Sequence, residues 1–446
     1  MGKSLPLLLV ALLLTTVKPA KAEGLLQLWE HVIENNPTLK STEYAVEQAR
    51  AQQDQALAKL LPNVSISGFY SFNNYNANAT ANGFQPLGGS STVSYAGFRG
   101  VLQITQALFD LPSYLRLESA KKVTKQSEQQ ALAQRMQLAY NLVDQYLAVL
   151  EGVDTIAQLQ AEQASAEGQA KRLHTMLERQ MAKVTDVYEV DAYAQSLQTS
   201  LIEAAHQKAI AAEKLRELSG VLVQDPDPLL QDAFPEMKRS ADEWVQEALS
   251  ANPTLLSLQY AAEGAQQMIG SAVAGHLPTA SLSASEMYAN TGYNNLQYPN
   301  DYNVGSVYLN VNIPIYAGGG VDAGAREAVG KYHMSREKIE EVHRNIEKET
   351  RTAWLNAVSG RSRIDSTHQE SKFREKAKIA QERSNELGAA TIIDVLDAHR
   401  RLLKAYTDYS KARYDFIRSL IRLRLNAGSL ADLDLEAIAP WFGKHF

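Results

Sequence analysis

Asn36-Pro37-Thr38-Leu39 stands near the start of this chain, and Asn252-Pro253-Thr254-Leu255 repeats it at an offset of 252 − 36 = 216 residues. At the same offset Tyr44 returns as Tyr260, Glu47 as Glu263, Leu61-Pro62 as Leu277-Pro278, and Ser65 and Ser67 as Ser281 and Ser283. Farther on the offset falls to 391 − 185 = 206, so that Thr185 answers to Thr391 and Asp191-Ala192 to Asp397-Ala398. Self-similarity in this order means two copies of one structural unit. Each copy reads as a helix, a long strand, a loop, a second strand and a very long helical stretch. The copies are expected at residues 23–230 and 231–446, behind a leader at 1–22.

That leader has the form of a secretory signal. Lys3 supplies the charge, Leu5 to Val17 a short apolar run, and Ala20-Lys21-Ala22 a small-residue cleavage site. The apolar run falls short of the ~20 residues a transmembrane helix needs. Removing the leader takes Lys3, Lys18 and Lys21 and no acids, so 44 basic residues become 41 against 50 acidic ones, a charge of −9. Such a balance argues against nucleic acid as a partner. The chain has no cysteine, which excludes disulfides, a thiol nucleophile, a thiolate metal site and a lipid carried on an N-terminal cysteine after processing. No later stretch is apolar enough for a transmembrane helix, so insertion into a bilayer would have to use strands.

Proline is absent between Pro112 and Pro226 and again between Pro314 and Pro440. Both stretches are rich in strong helix formers. Leu132, Met136, Ala139, Val143, Tyr146 and Leu150 alternate by four and three, as do Val395, His399, Leu402, Tyr406, Tyr409, Arg413, Phe416, Leu420 and Leu423. This is coiled-coil spacing. Gly320 to Gly388 predicts one helix of about 100 Å at 1.5 Å per residue, too long for a compact domain. Each stretch breaks once, near Thr185 and near Gly388-Ala389-Ala390-Thr391. A helix-ending Gly followed by a Thr N-cap predicts a tight turn between antiparallel helices.

Four segments alternate with period two. Phe98, Leu102, Ile104 and Leu108 share one face, with Arg99, Gln103 and Thr105 on the other. Val307, Leu309, Val311, Ile313 and Ile315 lie opposite Ser306, Tyr308, Asn310 and Asn312. Pro62–Tyr75 and Pro278–Tyr288 alternate more weakly. The joining loops, Asn73–Thr92 and Ala289–Asp301, are rich in Asn, Gly, Ser and Tyr. Phe69, Tyr70, Tyr75, Tyr95, Tyr302 and Tyr316 near the strand ends suit interface belts. On pattern alone a soluble sandwich and a membrane barrel both fit. Geometry separates them: four strands cannot close a membrane barrel, whose smallest form has about eight, and open edges are not tolerated in lipid. Several chains must then share one barrel, and three would give 3 × 4 = 12 strands. The expected class is α+β, mostly α, with long antiparallel helical hairpins and four transmembrane strands per chain.

These features together resemble the TolC family of outer-membrane channels over essentially the whole mature chain. The resemblance is carried by the paired Asn-Pro-x-Leu segments, the Leu-Pro strand openings, Leu108-Phe109 and Ile315-Tyr316, Thr185-Asp186-Val187, and Thr391-Ile392-Ile393-Asp394-Val395-Leu396-Asp397-Ala398. It implies a homotrimer, with a twelve-stranded barrel in outer-membrane lipid and a twelve-helix tunnel in the periplasm. It also implies a passive exit duct for efflux or type I secretion. Such a duct docks to a periplasmic membrane-fusion adaptor and an inner-membrane pump of the RND or ABC type. The pump supplies the energy, so no cofactor is expected. The same duct serves drugs, proteins or siderophores, because the pump selects the cargo.

Asp394 and Asp397 lie three apart, on one helix face. By themselves they read as first-turn acids that complement the helix dipole behind Thr391. The resemblance adds a second reading, two carboxylate rings at the narrow periplasmic end of the tunnel. Like charges so placed raise one another's pKa and attract cations. Thr185 and Asp186 match positions that join polar links closing the helical tips. The tyrosine and arginine partners of that lock are replaced here by Asn385 and Ala390, which implies a closed state that is weaker or differently bonded. Gln180 stands where the first turn often has Gly.

Gly318-Gly319-Gly320-Val321-Asp322-Ala323-Gly324 lacks dinucleotide spacing and has no phosphate-loop lysine after it; it reads as a strand-to-helix exit. The nine histidines show no metal-ligand spacing, and no nucleophile elbow is present, so neither a metal site nor an enzyme is expected. The rival reading is a soluble periplasmic coiled-coil adaptor or structural rod. It would need one helical hairpin and no twice-paired long strands.

Overall fold

The computed structural model describes residues 24–77, 91–223, 226–230, 234–235, 237–290, 292, 301–430 and 432–443. The expected leader at 1–22 and the central parts of both loops, 78–90 and 293–300, lie outside the described residues. The element order is α1 (Leu25–Asn35), α2 (Pro37–Ala58), β1 (Asn63–Ala77), β2 (Ser91–Phe109), α3 (Leu111–Glu178) and α4 (Val184–Ser219), followed by α5 (Ala241–Ala251), α6 (Pro253–Val273), β3 (Thr279–Asn290), β4 (Asp301–Asn312), α7 (Gly320–Glu386) and α8 (Ile392–Asn426), with a short α9 (Asp432–Ile438). Two helices therefore precede each strand pair, where the sequence suggested one. The break between them is the Asn-Pro step, since Pro cannot continue a helix from within but fits its first turn.

The chain divides into two compact units. One holds residues up to 41, 133–252 and 345 onward; the other holds 42–132 and 253–344.

In the first unit the two Asn-Pro steps do the same work. Asn36 Nδ2 donates to the Leu218 carbonyl in the last turn of α4 at 2.9 Å, and Asn252 Nδ2 donates to the Asn426 carbonyl at the end of α8 at 2.8 Å. Each satisfies a terminal carbonyl that no helical amide can reach. The core seam predicted from heptads is buried: Met136, Ala139, Val143, Tyr146 and Leu150 of α3 are all shielded from solvent, and the last four pack with Leu25, Leu28, Trp29 and Val32 of α1 and with Tyr414, Ile417 and Ile421 of α8. Leu132 is exposed, an exception to the expected seam. Burying each large apolar side chain contributes about 1.5–3 kcal/mol relative to leaving it in water.

Helices α3 and α4 form an antiparallel pair, linked by Gln163–Gln198 at 2.7 Å and by His174 with Asp191 at 3.1 Å. Gly152 admits the backbone of Lys208, where an added Cβ would stand 2.9 Å from the lysine Cβ. Helices α7 and α8 pair likewise, through His368 stacked with Tyr409 and through Gly360 against Phe416.

The second unit contains one antiparallel sheet of order β1-β2-β3-β4, with helical segments packed on each other through Thr124 Oγ1 to the Ala49 carbonyl and Ser119 Oγ to the Gly264 carbonyl. Register aligns Ile66, Leu102, Glu286 and Gly305 across the strands, and Val64, Ile104, Ala284 and Val307 one row away. By strand alternation these rows form a face that is apolar except for Glu286. Ser65, Ser67, Gln103, Thr105, Ser283 and Ser306 belong to the other face, where Thr105 and Ser283 share a 3.2 Å hydroxyl contact. Strand β4 ends at Asn312, so Ile313 and Ile315 lie beyond it, because Pro314 has no N–H to extend the ladder. Gly318 and Gly319 both take positive φ (62° and 78°) just before α7, which makes the glycine run a defined turn. No described helix is long and apolar enough to cross a membrane.

Candidate functional site

The two hairpin turns carry all the residues singled out as a gate. After α7, Gly388 takes φ 75° and the chain closes a double-bonded C-terminal turn, with Gly388 N–H on the Asn385 carbonyl and Ala389 N–H on the Ser384 carbonyl, both at 2.9 Å. Asn385 Nδ2 adds a bond to the Ala390 carbonyl at 2.9 Å. Thr391 then caps α8 in a reciprocal box. Asp394 N–H donates to Thr391 Oγ1 at 3.3 Å, while Asp394 Oδ2 accepts from the Thr391 N–H at 2.9 Å and from its hydroxyl at 2.6 Å. The hydroxyl bond, and after it the backbone bond, hold the Asp394 carboxyl below the usual carboxylate range. Asp397 pairs with Arg401 one turn on at 2.6 Å. In the isolated chain both acids are thus satisfied locally.

The first turn is built from poorer materials. Gln180 is in the left-handed region at φ 57°, the sole non-glycine there among the described residues. Its N–H reaches the Leu177 carbonyl and that of Met181 the Met176 carbonyl, both at 2.8 Å, the same geometry that Gly388 provides in the other copy. The N-cap of α4 is Lys183, with no side-chain cap bond. Thr185 was expected as the cap and is instead the second residue of the helix. Its hydroxyl makes only a 3.5 Å contact with Asp186 Oδ1. The chain enters α4 two residues earlier than expected because Val184 and Thr185 both fit helical backbone once Asp186 N–H has closed on the Lys183 carbonyl at 3.1 Å. Among the described residues no hydrogen bond or ion pair joins Thr185 or Asp186 to Asp394 or Asp397.

Sequence reasoning placed His399 on the seam of α8 only as a core position. It is 1% exposed and meets carboxylates on both sides: Nδ1 lies 2.7 Å from Glu162 of α3 and Nε2 lies 2.8 Å from Glu382 of α7. Glu162 is itself buried and accepts from the Tyr193 hydroxyl of α4 at 3.0 Å. Burial, and then the Glu162 charge, push the Tyr193 hydroxyl up from its ordinary value. The available signal was a histidine at an apolar heptad position. Below it the α3–α8 seam continues as polar rungs: Gln158 with Thr407, Asp154 with Ser410 and Tyr414, and Glu151 and Asp144 with Arg418.

The sheet's apolar residues Val64, Ile66, Phe72, Val307, Leu309 and Val311 are exposed in the single chain. So large an apolar surface marks contact with lipid or protein. An open-edged sheet of this kind, with helices of 67 and 68 residues, defines the class of outer-membrane channels that share a barrel and continue it in helices. The chain belongs to the outer membrane efflux protein family, whose model matches residues 28–221 and 244–429. It is 26% identical to the outer membrane protein TolC of Vibrio cholerae, covering 98% of this chain and 97% of that one. It is also 26% identical to the alkaline protease secretion protein AprF of Pseudomonas aeruginosa, covering 97% and 90%. The solved Campylobacter jejuni CmeC outer membrane channel matches in fold with a TM-score of 0.81 at 17% identity, covering 94% of this chain and 90% of that one. The protein is therefore an outer-membrane exit duct for efflux or type I secretion, and the soluble-rod reading is not favoured.

Proposed function

We propose that three copies of this chain assemble one twelve-stranded barrel in the outer membrane and one twelve-helix tunnel in the periplasm. The chain contributes no catalysis of its own. The observation that carries this reading is the sheet itself, which is largely apolar on one face, polar on the other and open at β1 and β4. Unpaired strand edges are excluded from lipid, and joining β4 of one copy to β1 of the next satisfies them. The repeats at 23–230 and 231–446 supply alike hairpins, so six hairpins from three chains line the tunnel with pseudo-equivalent helices. The tips engage a periplasmic membrane-fusion adaptor and an inner-membrane pump of the RND or ABC type, which provides the energy and chooses the cargo.

Asp394 and Asp397 form the acidic rings of the inner end in this assembly, and Thr185 and Asp186 lie on the neighbouring tip. The double variant Asp394→Ala/Asp397→Ala, reconstituted in planar bilayers, should show reduced cation selectivity and reduced block by multivalent cations. Unchanged selectivity would remove the acidic-ring assignment.

A further inference from the structure

His399 is the one buried group in the described helices with a carboxylate on each side from two other helices. A neutral imidazole has a single N–H donor. Both of its nitrogens here lie within hydrogen-bond distance of carboxylate oxygens, Glu162 at 2.7 Å and Glu382 at 2.8 Å. Gln169 lies beside the same ring. Its Nε2 lies 3.1 Å from His399 Nε2, and its Oε1 is buried without a partner among the described residues. The two ends of an amide are interchangeable by a half-turn. That turn puts Oε1 beside the imidazole Nε2. Charged groups bonded to this cluster include Lys378, 3.7 Å from Glu382 on α7, and Arg400, over the Tyr193 ring at 5.0 Å. Four helices thus meet at one charged knot: α3 through Glu162 and Gln169, α4 through Tyr193, α7 through Glu382, and α8 through His399.

We propose that His399 is the positioning residue of the gate, docking the α7–α8 tip onto the α3–α4 hairpin and so fixing where Asp394 and Asp397 stand. This rests on the channel reading above. Asp397 is two residues and Asp394 five residues before His399 on the same helix, so their placement follows its anchorage. The two bonds differ in what an opening motion does to them. Glu382 belongs to the same hairpin as His399 and travels with it, keeping its 2.8 Å contact with the imidazole. Glu162 belongs to the other hairpin, and its 2.7 Å bond is the one that breaks. The polar rungs below the knot fit the same motion, since hydrogen-bonded groups exchange partners with water on separating and an apolar seam does not.

The test uses the full-length protein in planar bilayers. His399→Gln and Glu162→Gln should each raise the open-to-closed ratio about twofold or more, the lower bound for residues in direct contact. They should lower cation selectivity, and the double variant should add nothing beyond either single one. Channels of normal conductance and selectivity in both variants would make His399 a core residue only and overturn the proposal. Should the variants fail to assemble, a reducible crosslink answers instead. The chain is free of cysteine, and Gln158 and Thr407 touch across the same seam at 3.3 Å. Gln158→Cys/Thr407→Cys bridged by a short bis-methanethiosulfonate, which replaces the reach of the lost glutamine side chain, should hold the low-conductance state and release it on reduction; equal opening in the bridged and reduced protein would refute the moving seam. If the unaltered protein forms no channel at all, it is the channel reading that fails, not this inference alone.

Discussion

The two hairpin turns descend from one design and differ in workmanship. The α7–α8 turn has glycine where the backbone is left-handed and a threonine–aspartate box where the next helix starts. The α3–α4 turn forces Gln180 into the left-handed region and starts α4 on Lys183 without a side-chain cap. A left-handed non-glycine residue costs about 1–2 kcal/mol, and a missing cap about 1 kcal/mol more. The backbone path is the same in both, so the path is set by the packing of the helices behind it. The second turn has in addition a chemistry that makes its own end rigid. That is the turn that presents Asp394.

The contrast is sharpest against the roots of the hairpins, where the copies agree. Asn36→Ala and Asn252→Ala should each destabilise the protein by about 1–3 kcal/mol, the penalty for an orphaned buried carbonyl, and by similar amounts in thermal unfolding. A large inequality would show that the copies are not equivalent there. Thr391→Ala should cost about 1 kcal/mol whereas Thr185→Ala costs little, because only the first of these hydroxyls caps a helix; equal losses would reverse the assignment. Gln180→Gly should add about 1 kcal/mol and raise the melting temperature, with the matching Gly388→Ala lowering it.

The smallest effect is in the pH profile. The Asp394 carboxyl is held low when folded, so its contribution is complete above the unfolded value of about 3.9 and is lost as pH falls through its lower folded value. The gap in melting temperature between the wild type and Thr391→Ala should therefore narrow only on the acid side of about pH 4. A gap that narrows near neutrality would mean that another group is responsible.

These comparisons also show what the chain disclosed before it was seen folded. Repeats, strands and long helices were legible because each has a period: 216 residues between Asn36 and Asn252, two within strands, and seven along the seam of α8. The cap at Thr391 was legible because a glycine and a threonine announce it. The cap at Thr185 was misplaced because nothing in Met181-Ala182-Lys183-Val184 marks where a helix begins when tertiary packing sets the start. Ile313 and Ile315 continued the strand pattern in sequence, yet Pro314 between them ends the ladder. His399 was visible as a seam position, but Glu162, 237 residues away, was not. Alternation and heptads report which face is buried. They do not report which charge waits on the far side.

The edges of the sheet test the central claim most directly. In this cysteine-free chain, one cysteine in β1 at Ser67 and one in β4 at Ser306, Tyr308 or Asn310 can crosslink only where neighbouring copies meet. Oxidation in outer membranes should give, for at least one of these pairs, a ladder of covalent species that ends at three chains. A chain that stays monomeric with every pair, or a ladder that runs past three, would contradict the shared barrel.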